Sequence, residues 1–267
     1  MTALAGSFDQ LACVEPSFHV IRPWFGAFEV DGHAVGCALD SDKWVRLSAS
    51  VNGSEQELIR QQSHLPLPVK IVAGPALIAE MPMTDSLAST FLVLHSVVHR
   101  ALGLLASPAQ QPIHDEPAEA DVTARLESFV EGSAFTWTRV ADHVVTTAGT
   151  ATIVGRAFGT SVVFGTNVVH LASCSARSLD ALTHFVLAAN ARLRFVRTTF
   201  VADRLVHEVA LPAAVLTTAL VDHAVGAIST GFHMTKRACG ALANGNTAEQ
   251  YLEFHLHGKD HHAHTHY

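Results

Sequence analysis

The alternation of apolar and polar residues marks one stretch of the chain that occurs twice. The first copy, ALIAEMPMTDSLASTFLVLHSVVHRAL, covers residues 76–102, and the second, RLVHEVALPAAVLTTALVDHAVGAIST, begins 128 positions later. Each copy opens with an alternating run that is typical of a strand and continues with an apolar run that predicts a helix. Identical residues in the two copies include Leu77, Glu80, Leu92, His95 and Val97. We therefore predict two similar halves that each end in this strand and helix.

The rest of the first half predicts antiparallel strands between short helices. A helix, three strands, a helix, two strands and a helix are predicted over residues 2–13, 24–53, 54–64, 68–83 and 85–105. Asp31-Gly32 is the predicted turn of a hairpin, because both turn positions require a positive φ. Ser54 is the predicted cap of the middle helix, with Glu57 at the position that completes a capping box.

The second half predicts the same order. Its helix, strand meander, helix, strand pair and helix are predicted over residues 121–132, 134–174, 178–193, 194–211 and 212–230. Ser178 is the predicted cap of the middle helix, and Pro212 is predicted to open the last helix, where a missing N–H costs nothing. A further helix over about residues 247–255 closes the half. The predicted fold class is α+β: each half is a helix, a three-stranded antiparallel meander, a helix, two strands and a helix.

A proline-rich and acidic stretch, ASPAQQPIHDEPAEAD, separates the halves. Its three prolines interrupt helices and strand ladders alike, so an exposed linker is predicted. The predicted domains are a first repeat over residues 1–105, a linker over 106–120, a second repeat over 121–254 and a histidine-rich tail over 255–267.

Composition narrows the classes of partner and compartment. Hydrophobic residues make up 49% of the chain and charged residues 15%, which predicts a sizeable core. The net charge of −7 disfavours a nucleic-acid surface. The N-terminus has no pattern of a signal peptide, and polar residues interrupt the apolar run Leu87–Leu105, which favours a buried helix over a membrane span. The four cysteines are widely spaced, as expected for reduced thiols in the cytoplasm.

The element order and one group of residues resemble a known fold. The residues are Ala189–Arg197, Arg204–Pro212, Tyr251 and Leu252, which include ANARLRFVR, RLVHEVALP and YL. They resemble type III secretion chaperones and the YbjN-like domains that share their fold. The resemblance implies a dimer-like unit that binds extended peptides of a client protein, here a pseudo-dimer formed by the two halves of one chain. The first half departs from the pattern, because it has no equivalent of AN-x-RLR before its last two strands.

The sequence offers few candidates for catalysis. It has no nucleophile elbow, zinc-protease helix or phosphate-binding loop motif. Four glycines with no following helix or lysine are predicted to be turns and bulges: Gly149, Gly155, Gly159 and Gly165. Cys174, Ser175 and His184 could supply a thiol and a base, but packing at a strand end is the interpretation that we favour. We predict no catalytic residues and no enzymatic activity.

Two pairs of residues occupy matching positions in the repeated segment. Glu80 and Glu208 could face each other as an acid–base pair, although the alternation around them favours the solvent face of an edge strand. His95 and His223 lie among apolar residues, so each is predicted to be a core histidine. A shared metal or proton role for these two histidines is the alternative.

The C-terminus, HLHGKDHHAHTHY, carries six histidines in thirteen residues. The candidate metal ligands are His255, His257, His261, His262, His264 and His266. In an extended chain the last three of these point to one side, which suits zinc or nickel.

The sequence therefore supports three hypotheses. The first is a non-enzymatic, chaperone-like protein that binds a polypeptide client through sheet edges or apolar helix grooves and is a monomer, because each half finds its partner within the chain. The second is a metal-binding protein that uses the histidine-rich tail. The third is an enzyme with an unrecognised site between the halves.

Overall fold

The computed structural model describes residues 8, 10–40, 43–66, 69–83, 86–106 and 118–262, with side chains of the last helix as far as Phe254. The described residues form two antiparallel six-stranded sheets and seven helices, which confirms the predicted α+β class. We call residues 8–106 the first half and residues 118–262 the second half.

The helices are α1 Leu11–Val14, α2 Glu55–Gln61, α3 Leu87–Ala106, α4 Ala120–Glu131, α5 Ala176–Arg192, α6 Thr218–Leu242 and α7 Gly245–His262. The strands of the first half are β1 His19–Arg22, β2 Phe25–Val30, β3 His33–Leu39, β4 Trp44–Ser50, β5 Val69–Val72 and β6 Ala76–Pro82. Those of the second half are β7 Thr138–Val140, β8 His143–Ala148, β9 Ala151–Phe158, β10 Ser161–His170, β11 Arg197–Val201 and β12 Arg204–Pro212. Short 3-10 helices follow α2 and β12, at Gln62–His64 and Ala213–Val215.

Both sheets have the same strand order. The first is β1-β2-β3-β4-β6-β5 and the second is β7-β8-β9-β10-β12-β11. Both copies of the repeated segment form a strand followed by a helix. The meander of each half nevertheless has four strands, so the prediction of three is wrong. The first strands, β1 and β7, are short and exposed on both faces, and therefore lack the apolar alternation that predicts a strand. That the halves are copies of one unit stays a prediction.

The halves meet along one edge of each sheet. β5 and β11 are edge strands of their sheets, and they contact each other as well as the second half's α5. The opposite edges, formed by β1 and β7, lie at the far end of each sheet. The contact between halves therefore covers the inner edges and leaves the outer edges without a neighbouring strand among the described residues.

The predicted turns are confirmed where the backbone requires them. Among the predicted turn residues, Asp31, Gly32, Gly149 and Gly159 have positive φ and lie between adjacent strands. Gly155 and Gly165 instead lie within β9 and β10. A Cβ on Gly155 would come within 2.9 Å of the Phe164 ring, so close packing explains this glycine rather than a bulge.

Two helices begin at residues other than those predicted. α5 begins after Ser175 rather than Ser178, because the Ser175 hydroxyl accepts a hydrogen bond from the Ser178 amide. α6 begins after Thr217, whose hydroxyl accepts from the Leu220 amide. Pro212 ends β12, since strand pairing continues to this residue.

The predictions for the linker and the chain ends are only partly covered by the described residues. Within the predicted N-terminal helix, α1 begins at Leu11, and residues 2–7 lie outside the described part. Residues 107–117 of the predicted linker and 263–267 of the predicted tail also lie outside it. The closing helix was predicted to end at about residue 255, but the backbone of α7 is helical as far as His262.

α3 packs against the first sheet. By length and composition it is apolar enough to cross a membrane, with a mean hydropathy of 1.4. Eight of its residues are buried: Leu87, Thr90, Phe91, Leu94, Val97, Val98, Ala101 and Leu102. Since α3 contacts β4 and β6, this burial fits the predicted core helix.

Candidate functional site

Glu80 and Glu208 are buried, with only 1% and 2% of their surface exposed. The interpretation of both as residues on the solvent face of an edge strand is therefore wrong. β6 and β12 each have a strand on both sides, and the other half covers this region. The alternation predicted the strands correctly, but it could not show that the polar face is buried too.

Glu80 receives three donors in the contact between the halves. Its carboxylate is 2.5 Å from the Lys70 Nζ atom and 2.8 Å from an Arg46 guanidinium nitrogen. The backbone N–H of Phe195, from the second half, donates to the same carboxylate at 2.9 Å. Lys70 also donates to the backbone carbonyl of Leu193. The pair thus belongs to the first half by sequence and binds the backbone of the second.

The excess of positive charge around Glu80 explains the pKa directions of both partners. Burial alone would raise the pKa of Glu80, but Lys70, Arg46 and the Phe195 amide together lower it. Burial lowers the pKa of Lys70, an effect that the attraction of Glu80 opposes and that the nearby Arg46 and Arg194 guanidinium groups increase. A carboxylate held ionised in this way is an anchor for hydrogen bonds rather than a proton acceptor.

A second buried pair makes the reciprocal contact. The Arg197 guanidinium binds the Glu208 carboxylate, with its Nε atom at 2.8 Å. The same guanidinium donates to the carbonyl oxygens of Leu65 and Val69 in the first half, at 3.0 and 3.1 Å. Leu65 lies 128 positions before Leu193, the residue that accepts from Lys70. Each half therefore contributes a cationic side chain that donates a hydrogen bond to the corresponding backbone carbonyl of the other half.

Two buried amide side chains connect the same contact. Gln62 and Asn190 are also 128 positions apart, and the Asn190 Nδ2 atom donates to the Gln62 Oε1 atom at 3.0 Å. Gln62 further donates to the Thr198 carbonyl at 2.7 Å, and Asn190 accepts from the Thr198 amide at 2.7 Å. Comparison of the two copies for identical residues did not reveal this correspondence, because one residue is glutamine and the other is asparagine. It follows from extending the gap-free offset of 128 beyond the repeated segment.

His207 is a buried histidine that the sequence did not single out. It is hydrogen-bonded to the hydroxyl groups of Thr198 and Thr235, at 2.9 and 2.5 Å. Burial lowers its pKa to about 4, so the imidazole is neutral at physiological pH. The position 128 residues earlier is Ala79, so the repeat offers no signal for this histidine.

His95 and His223 lie in separate surroundings. His95 is 3.1 Å from the Glu15 carboxylate and stacks on the Phe28 ring. His223 packs against Trp44 and Phe195, and burial lowers its pKa. His95 is half-buried and His223 is exposed, so the prediction that both are core histidines is wrong.

The other candidate ligands and nucleophiles do not form a site either. The Cys174 thiol lies near the carbonyls of His170 and Ala243, whereas His184 faces Glu55. Within the described part of the chain, no three histidine, cysteine, aspartate or glutamate side chains are placed to hold a metal ion. The side chains of the six tail histidines lie outside that part, so their role as ligands stays a prediction.

A cavity of about 550 Å³ opens beside the contact between the halves. We call it the Trp44 cavity. Trp44 is its residue from the first half, and its other walls come from the end of α5 and from α6, including Arg192, Arg194, His223, Gly226 and Met234. The sequence did not predict it, because Trp44 and α6 meet only through the docking of the halves.

β1 presents an apolar outer edge. All four of its residues are exposed, and Val20 and Ile21 expose 44% and 57% of their surface. Trp24, in the turn that follows, is 46% exposed. Exposed apolar residues on a sheet edge favour pairing with another strand.

Replacing Glu80 with glutamine tests the buried pair. The change leaves the Lys70 ammonium buried without its carboxylate, so we expect the Glu80→Gln variant to lose about 3–5 kcal/mol of unfolding free energy at neutral pH. Because the pKa of Glu80 is lowered in the folded state, its stabilisation is present above the ordinary value of 4.5 and is lost as the pH falls below it. Urea unfolding across this range should show a weaker acid dependence in the variant.

Glu29→Gln is the matched control, since Glu29 is exposed on β2. We expect it to change the unfolding free energy by less than about 0.5 kcal/mol. Equal losses in the two variants would show that Glu80 does not anchor the contact.

Comparison with known proteins assigns no family. No protein-family model matches the chain, and no curated protein is significantly similar to it in sequence.

Proposed function

We propose that this protein binds extended segments of other polypeptides along β1, as a chaperone-like module without enzymatic activity. The exposed outer edge of β1, with Val20, Ile21 and the adjacent Trp24, is the observation that carries the proposal. A client segment would add a strand to the first sheet, gaining main-chain hydrogen bonds from the edge and side-chain contacts from its apolar residues.

Three further observations support this proposal. The inner edges of both sheets lie in the contact between the halves, so an added strand would bind at an outer edge. Of the two outer edges, β1 exposes more apolar surface than β7, which has only Val140. The resemblance to type III secretion chaperones and YbjN-like domains implies the same kind of client. We also propose that the protein is located in the cytoplasm, because the cysteines that the structure describes form no disulfide.

An Ile21→Lys variant tests the edge. Lysine on an edge strand opposes the approach of a further strand, because the added chain would have to desolvate the charge. The probe is fluorescein-labelled α-lactalbumin that has been reduced and carboxymethylated and so stays unfolded. We expect fluorescence anisotropy to show binding by the unmodified protein and at least ~tenfold weaker binding by the variant.

Leu92→Lys is the matched control for this experiment. Leu92 is 48% exposed, but it lies on α3 rather than on a sheet edge. We expect this variant to bind the probe as the unmodified protein does. Equal losses in both variants, or no binding at all, would contradict strand addition at β1.

We also propose that the two halves form a pseudo-dimer and that the chain is a monomer. The reciprocal contacts of Lys70 and Arg197 support this, because each half already has a partner for the surface that a symmetric dimer would use. Light scattering should give the mass of one chain, 28.5 kDa, at micromolar concentration. A stable mass of twice this value would contradict the proposal.

Metal binding by the tail is the second candidate function, supported by six histidines in thirteen residues. Since α7 continues to His262, removing the tail would shorten a helix, and substitution is the cleaner test. We expect calorimetric titration to show zinc uptake above about pH 6.5, where imidazole is neutral, and no uptake after all six tail histidines are changed to glutamine.

A His95→Gln/His223→Gln variant is the control for the zinc titration, and we expect it to bind zinc normally. Unchanged uptake by the tail variant would place the ligands elsewhere. Absence of uptake by the unmodified protein would remove metal binding as a function.

A further inference from the structure

We infer that the Trp44 cavity binds a small organic carboxylate with an apolar body. Its volume of about 550 Å³ lies in the range of small-molecule sites. Since Trp44 belongs to the first half and the other walls to the second, the site is complete only when the halves are docked.

The cations of the cavity select for a negative charge. Arg192 is the last residue of α5; it is exposed and forms no ion pair with the residues that the structure describes. Arg194 places its guanidinium over the Trp44 ring, 5.7 Å from the centroid, and is held there by Asp40 at 2.7 Å. A guanidinium fork binds a carboxylate through two parallel hydrogen bonds, so Arg192 is the group that would receive the ligand's charge.

The acidic residue in the wall does not cancel this preference. The Asp222 carboxylate accepts hydrogen bonds from the Ser133 hydroxyl at 2.5 Å and from the Ala134 amide at 3.0 Å. It is therefore committed to the loop after α4. Asp222 keeps its negative charge, but these hydrogen bonds orient its carboxylate toward that loop. Arg192 is the cationic wall residue for which the described part of the chain shows no ion pair.

The rest of the cavity suits an apolar group. Trp44 is 9% exposed as a whole residue, and its ring forms an aromatic wall with His223 packed beside it at 5.2 Å between ring centroids. Met234 is 64% exposed, which is unusual for a large apolar side chain and places a flexible thioether at the rim. An aromatic or aliphatic ligand would cover both side chains.

Gly226 contributes no side chain to the wall of the cavity. Glycine destabilises a helix interior relative to alanine, yet Gly226 lies in the middle of α6 and lines the cavity. A Cβ built on it meets no atom within 4 Å, so packing within the protein does not require glycine there. Because glycine has no side chain, a ligand in the cavity could approach the backbone of α6 closely at this position.

The test uses the full chain with Trp24→Phe and Trp137→Phe, which leaves Trp44 as the single tryptophan of three. The probes are N-acetyl-phenylalanine, its neutral amide and octanoate, and the readout is Trp44 fluorescence. We expect saturable binding of at least one carboxylate and, for N-acetyl-phenylalanine, at least ~tenfold tighter binding than for the amide. Absence of saturable binding by both carboxylates, or equal binding of acid and amide, would overturn the inference.

Two substitutions locate the site. Arg192→Gln should weaken binding of the carboxylate at least ~tenfold and leave that of the amide unchanged. Gly226→Leu should abolish binding by filling the cavity. Gly240→Leu is its matched control, because Gly240 is also in α6 and also has open space around its Cβ position, but does not line the cavity. Equal binding by the two leucine variants, with both folded by circular dichroism, would place the ligand elsewhere and overturn the inference.

Discussion

The docking of the two halves depends on two ion pairs buried where their sheets meet. Removing charged groups from water is costly, and a buried pair often contributes little net stability. It does, however, penalise every arrangement that leaves one of its groups without a partner. Lys70 and Arg197 each need a backbone carbonyl of the opposite half, so a shifted docking would leave a buried cation partly unsatisfied. The main effect of these pairs is therefore to select one docking geometry, and their contribution to the net stability is the smaller effect.

This geometry determines which surfaces remain available. With β5 and β11 in the contact, each sheet can grow only at its outer edge, β1 or β7. A separate homodimer would leave the same two edges exposed, but on identical chains. Joining both halves in one chain allows the edges to differ, and here they do: β1 carries Val20 and Ile21, whereas β7 carries only Val140 among apolar exposed residues.

The sequence predicted the elements whose alternation or capping is local and failed where the answer depended on docking. The hairpin turn at Asp31 and the cap at Ser54 follow from neighbouring residues alone. The predicted count of three strands in each meander was one too low, because β1 and β7 are exposed on both faces and have no apolar period. Glu80 was misplaced because its alternation shows a strand but not that the polar face is covered. Its partner Lys70 could not be identified, since that pairing depends on strand register and on the second half.

Comparison of corresponding positions in the two halves distinguishes residues that dock the halves from residues that line the Trp44 cavity. At the offset of 128, Gln62 matches Asn190 and Leu65 matches Leu193, and these residues hold the contact together. Several wall positions of the Trp44 cavity, in contrast, differ between the halves, although Leu193 and His223 also line it. Gly226 corresponds to Val98, which is fully buried in α3, so the two helices use this position in opposite ways. A position that fills a core in one half and opens a cavity in the other is not needed for docking, and selection for a ligand would act there without disturbing the ion pairs.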